Sequence, residues 1–263
     1  MTTRRDVVAG MAAGAAMSLF GPSHAFAAAA ADVSLFARTP LAGNRVARHF
    51  KRVDLVLPDI PVQTVAGRSA LSGVGGKSRM IALWAEWCVP CLVEIRDFAA
   101  LRPQVATDRF DIGLLLTAST AKLDHARAVA RLRPLGAASL PLLVEPDGGK
   151  RAAERLAHQA DFRPGPDGKA PPFSLPCTLL VDSRGRVKGR AFGAPSIRAP
   201  MDMAALTDEQ KAAMKRGESV VVKSQPLTEQ DKDALLADGK TIWSSPAGAD
   251  FLKALGDGLL DRL

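Results

Sequence analysis

The 263-residue sequence contains no tyrosine, and aromatic residues make up only 5% of it. Aromatic platforms interleaved with basic residues, the usual seat for single-stranded nucleic acid, are missing. There are three cysteines and four histidines, and the histidines nearest in sequence to a cysteine pair, His49 and His125, show no ligand spacing. A zinc site closed by a second cysteine pair has no residues to draw on, and no metal is expected. Beyond the N-terminus no run of about 18 strongly apolar residues occurs, which excludes a multi-span membrane protein. A dense basic block is also absent: the net charge of +8 comes from Arg and Lys scattered between Arg38 and Arg262. That distribution reads as solvated surface, so nucleic acid is not an expected partner.

What is present is 47% hydrophobic and 24% charged, the balance of a globular protein with one substantial domain. The first 27 residues read as an address. Arg4 and Arg5 precede a weakly apolar stretch from Val7 to Phe20, and Ala25-Phe26-Ala27 offers a cleavage site. The arginine pair and the Ala/Gly-rich core resemble a twin-arginine signal; a general secretory signal and an uncleaved anchor are the alternatives. All three place the folded part outside the cytoplasm, in the periplasm, where disulfides persist.

Residues 28–51, Ala-rich and then basic with no sustained period, read as a linker. The domain then spans 52–263. Short strand-like pieces lie at Val53–Asp59 and Val62–Gly67, divided by Pro and Gly. Met80–Trp84 is a compact apolar run suited to a buried central strand. A helical pattern follows from Pro90, which a first turn tolerates, to an expected stop at Pro103. Strands are predicted at Phe110–Leu116 and Leu142–Val144, with helices at Lys122–Arg133 and Arg151–Gln159. Thr178–Val181 and Arg186–Ala191 form a hairpin through the turn Asp182-Ser183-Arg184-Gly185. Capping-box spacings at Thr207 and Thr228 predict two short helices in an insertion at about 195–240. A final amphipathic helix over 247–260 carries Phe251, Leu252, Leu255 and Leu259 on its apolar side. This order predicts an α/β fold: a mixed sheet flanked by helices, with a helical insertion before the last helix.

The chemistry concentrates in Trp84-Ala85-Glu86-Trp87-Cys88-Val89-Pro90-Cys91. Two cysteines two residues apart close a disulfide with little rearrangement when the first sits at a helix N-terminus. There the unpaired amides and the helix dipole favour a Cys88 thiolate, the attacking group. Cys91, one turn in, resolves the mixed disulfide. No cofactor is needed for this chemistry.

This run resembles the active-site segment of thioredoxins and, with Val-Pro between the cysteines, of TlpA/ResA/CcmG-type exported reductases. Leu57-Pro58-Asp59 and Gly76-Lys77 upstream resemble the same branch, as does Leu175-Pro176-Cys177-Thr178 with its hairpin downstream. The similarity covers roughly residues 53–193 and the last helix. It implies a thioredoxin-like fold and a cis Leu175–Pro176 peptide against the redox pair, with the backbone of Leu175 pairing with an incoming chain. Trp87, Val89 and Pro90 would line the substrate contact beside them. Three positions depart from the pattern. Thioredoxins have a buried acid where this chain has Ala82, so the proton acceptor for Cys91 falls to water, Glu86 or Glu94. Ile95-Arg96 replaces the usual Met-Pro after Glu94. Cys177 stands where Thr is usual, as a small buried residue or as a third thiol influencing the pair. The resemblance implies a monomeric reductase of disulfides in exported proteins, re-reduced by a membrane thiol donor. A disulfide oxidase or isomerase, and a copper(I) chaperone using the same two cysteines, are the competing readings.

Overall fold

The computed structural model describes residues 35–118, 124–146, 175–192, 207–215 and 229–263, with a few positions between 149 and 156. Eight strands form one sheet: β1 (Lys51–Val56), β2 (Pro61–Thr64), β3 (Gly67–Ala70), β4 (Ser78–Ala85), β5 (Phe110–Ala118), β6 (Leu142–Val144), β7 (Cys177–Val181) and β8 (Arg186–Phe192). Their spatial order is β1-β8-β7-β4-β5-β6-β2-β3. β4 runs parallel to β5 and β5 to β6, whereas β7 joins the other edge of β4 antiparallel and turns back as β8. A parallel pair needs a crossover, and α1 (Val89–Val105) supplies it between β4 and β5. β4 is buried on both faces nearly throughout, which is why Met80–Trp84 reads as a continuous apolar run rather than an alternation.

The sheet separates two apolar clusters. One gathers Ala82 and Trp84 of β4 with Cys91, Leu92, Ile95 and Phe98 of α1. Helix α2 (His125–Leu132) adds Ala128 and Leu132 to it, and the last long helix adds Phe251, Leu252 and Leu255. The other gathers Ile81, Leu83, Cys177 and Leu179 with Leu57 and Leu71. Alternation along β4 assigns each side chain to its cluster.

Several expectations are corrected. Residues 35–50 are core, not a tether: Leu35, Phe36, Leu41, Val46, Ala47 and Phe50 are all buried. Turns and a 3-10 turn at Ala47–His49 bring them inward, so no helical or strand period marks them. Asn44 fixes the segment, its Oδ1 accepting from the N–H groups of Val46 and Ala47 while its Nδ2 donates to the Ala247 carbonyl. The strand-like piece expected at Val62–Gly67 is strand β2 through Thr64, then turns at residues 65–66 into β3, where Gly67 takes φ +115°. α1 continues past Pro103 to Val105, because proline forfeits only its own N–H and the next turn still closes from Ala106 N–H to Arg102 O. The final helix ends at Gly256 and passes into a 3-10 turn at Leu260–Arg262.

Helices stand at Asp208–Lys215 (α3) and Glu229–Asp238 (α4), within the insertion read from the sequence, followed by Pro246–Gly256 (α5). Ala152, Arg155 and Leu156 are helical within the expected 151–159 helix. The signal segment 1–27 and the loop 163–172 lie outside the described residues. Among the described residues no helix is long and apolar enough to cross a membrane.

Candidate redox site

β4 ends at Ala85, and the turn that follows places Cys88 as the N-cap of α1, its N–H donating to Ala85 O and its carbonyl accepting from Leu92 N–H. Pro90 occupies the first turn, where a missing N–H costs nothing. Cys88 and Cys91 are joined as a disulfide, with Cα atoms 5.3 Å apart. Cys88 is 5% exposed and Cys91 1%, so both are buried and the first is the less deeply covered. Beside it Trp87 is 57% exposed, Glu86 and Pro90 are half-buried, and Val89 is buried. Leu175–Pro176 is a cis peptide leading directly into β7, with Pro176 buried and Leu175 half-buried against both apolar clusters.

Glu94 and Cys91 are both 1% exposed, one turn apart on α1. Burial pushes the Glu94 carboxyl up to about 8; a hydrogen bond from Trp243 pulls it back, and the charge of Asp97 pushes it further up. The Trp243 indole Nε1–H donates to Glu94 Oε1 at 3.1 Å, while Oε2 has no hydrogen-bond partner among the described residues. Glu86, the other carboxylate near the motif, lies instead in the half-exposed turn before Cys88.

Cys177 pairs with Leu83 across β7 and β4 and packs with Leu83 and Leu179, in the cluster on the other side of the sheet from Cys91. Burial pushes its thiol up to about 12, with Arg190 opposing and Glu94 reinforcing the shift. Such a thiol stays protonated, in keeping with a packing residue.

Sequence reasoning missed a set of contacts between α1 and the chain before α5. Arg96 Nη1 donates to the carbonyls of Leu236 and Ala237, at 2.6 and 3.1 Å, and Nη2 to Gly239 O. Asp97 Oδ2 accepts from the Thr241 hydroxyl at 2.6 Å and from its N–H at 3.3 Å. With Glu94 on Trp243, three residues of one stretch of α1 hold residues 236–243. No local signal marks these partners, which are polar side chains of α1 and groups more than a hundred residues further on.

The strand order, the α1 crossover and the cis-proline strand define a thioredoxin-like fold carrying a Cys-x-x-Cys disulfide at the start of its first helix. No family model matches the chain. It is 27% identical over 132 residues to the thioredoxin-like protein YneN of Bacillus subtilis, a match covering 50% of this chain and 66% of that protein, just under two thirds of its length. Among solved structures it is similar to the exposed lipoprotein thioredoxin Etrx1 of Streptococcus pneumoniae, at 20% identity and a TM-score of 0.35, covering 54% of this chain and 90% of that one. It is likewise similar to a secreted thiol-disulfide isomerase of Corynebacterium glutamicum, at 17% identity and a TM-score of 0.39, covering 54% and 81%.

Proposed function

We propose that this chain is an exported thiol–disulfide oxidoreductase that works as a reductase through Cys88 and Cys91. The observation that carries the reading is Cys88 as N-cap of α1, with Cys91 buried one turn behind it. In the reduced protein the Cys88 thiolate attacks one sulfur of a substrate disulfide. A Cys88–substrate bond forms, and the other substrate sulfur leaves as thiolate. Cys91 then gives up its proton and attacks Cys88 Sγ, closing the Cys88–Cys91 disulfide and releasing the second substrate thiol. A thiol donor at the membrane returns two electrons and two protons to the pair.

Glu94 suits the role of proton acceptor for Cys91 better than Glu86, being buried on the same helix with an affinity close to that of a thiol. Trp87 offers an exposed aromatic surface beside the disulfide, and Val89 and Pro90 the adjoining turn. We assign the Leu175 backbone, just before β7, as the pairing edge for an incoming peptide, and the cis Pro176 beside it as part of the same contact. The substrates are disulfide-bearing exported proteins, met by a monomer in the periplasm after passage directed by Arg4 and Arg5.

What surrounds Cys88 supports the reducing direction. An oxidant of this class overstabilises the thiolate of its first cysteine, and a gap of roughly 100 mV corresponds to about 5 kcal/mol. Val89 brings neither charge nor donor, and a carboxylate at Glu86 opposes an anion. The expected potential lies below about −200 mV. Equilibration with glutathione, followed by tryptophan fluorescence, measures it. A value above roughly −150 mV makes the protein an oxidase instead. Trapping with Cys91→Ser, which leaves mixed disulfides on Cys88, identifies the substrates.

A further inference from the structure

We propose that Trp243 is a positioning residue for the redox pair: its indole N–H holds the Glu94 carboxyl behind Cys91 and sets when that carboxyl takes up a proton. The inference rests on the thiol–disulfide reading above.

Four observations converge on it. Glu94 is buried on α1 one turn beyond Cys91, with one oxygen on the Trp243 indole and the other without a hydrogen-bond partner among the described residues. A buried carboxyl with a single fixed donor is oriented by that donor, since the bond is the one directional contact it has. Trp243 is itself closely packed. It is fully buried, and its ring lies 5.1 Å from Phe98, 6.4 Å from Phe50 and 6.1 Å from Phe251, centroid to centroid. Its backbone is fixed too: the Trp243 N–H donates to Thr241 Oγ1, whose hydroxyl donates to Asp97 on α1. The indole is thus registered to the helix that carries Glu94 and Cys91.

The direction of the effect follows from the charges. An N–H donor stabilises the carboxylate over the carboxylic acid. Against it stand burial and the charge of Asp97 on the same helix; the Cys177 thiol on β7 stays protonated and uncharged where Glu94 changes state. Removing the donor leaves only terms that favour the neutral acid, so Glu94 protonates at higher pH. A purely structural tryptophan would lower stability and leave the pH dependence of catalysis where it was.

The test is single-turnover reduction of insulin by the pre-reduced full chain, followed against pH. Trp243→Phe keeps a ring in the aromatic cluster and deletes the donor. The wild-type profile is expected to bend near 8, to which burial raises the Glu94 carboxyl. In the variant the bend moves up by about one unit, the tenfold change in proton affinity that one hydrogen bond to a charged group supplies. Glu94→Gln removes that bend and leaves only the one set by ionisation of the attacking Cys88 thiol, and adding Trp243→Phe to it changes nothing further. Superimposable profiles for the wild type and Trp243→Phe overturn the proposal. A second measurement needs no variant at position 243. The chain has three tryptophans, and one indole N–H signal in the ¹⁵N-labelled protein should titrate with Glu94 and stop doing so in Glu94→Gln. Indole signals that stay flat through the alkaline range overturn it as well. Wild-type protein that reduces no insulin at any pH refutes the functional reading instead, and the indole titration then still decides whether Trp243 governs Glu94.

Discussion

Phe36 meets Phe251 edge-on, with ring centroids 5.4 Å apart and planes at 79°, and Phe50 stacks on Phe251 at 5.2 Å. The segment leading into β1 is thereby fastened to the last long helix. Phe36→Ala should cost about 3–5 kcal/mol, as other large core truncations of an aromatic do. Urea unfolding measures it, and a loss under 1 kcal/mol, typical of a surface position, would return this segment to the status of a tether. The glutathione potential should not move, since the Phe36 ring packs edge-on to Phe50 and Phe251.

Cys88 should be the faster thiol toward alkylating agents in the reduced protein, because it caps α1 and is less deeply covered than Cys91. Iodoacetamide kinetics against pH, with each cysteine identified by mass spectrometry, checks the order. Faster labelling of Cys91 reverses the assigned roles.

Glu94 makes stability depend on pH. Its folded-state affinity, about 8, lies above the ordinary carboxyl value of 4.5, so between those limits the folded protein binds a proton that the unfolded chain has released. Stability should therefore fall as pH rises from about 4.5 to about 8 and level off above, by a few kcal/mol, roughly 1.4 for each unit. Glu94→Gln should flatten this dependence. An unchanged slope in that variant would show that Glu94 is ionised throughout.

Arg96 fastens the C-terminal end of α4 to α1 through three carbonyls. Arg96→Met keeps much of the stem and loses every donor, so residues 236–241 should exchange amide hydrogens faster while β4 and β7 do not change. Hydrogen exchange with mass spectrometry reads both regions at once. Equal protection in wild type and variant would mean that α4 is held by its apolar side alone.

Export is testable apart from the redox chemistry. Arg4→Lys together with Arg5→Lys should leave the precursor in the cytoplasm if the twin-arginine route carries it. Fractionation and immunoblotting give the answer, and undiminished export assigns the signal to the general pathway.

The central elements were legible from residue order because their signals are local. A continuous apolar strand, two cysteines with proline in the following turn, and a polar turn between two short strands each declare themselves within a dozen residues, and the structure has β4, α1 and the β7–β8 hairpin there. Leu175-Pro176-Cys177-Thr178 was legible through resemblance to thioredoxins, and the cis bond stands at that position. Tertiary structure alone decided the rest. Phe36 and Phe50 become core where α5 presents Phe251 to them, and Leu35 where it lies over Gly189 of β8, contacts between distant parts of the chain that no window of sequence contains. Cys177 is parted from the pair by strand alternation, which puts it on the Leu83 side of the sheet. The partner of Glu94 was hidden for the same reason: a hydrogen bond needs two atoms within about 3 Å, and only the docking of residues 236–243 on α1 brings the Trp243 indole there.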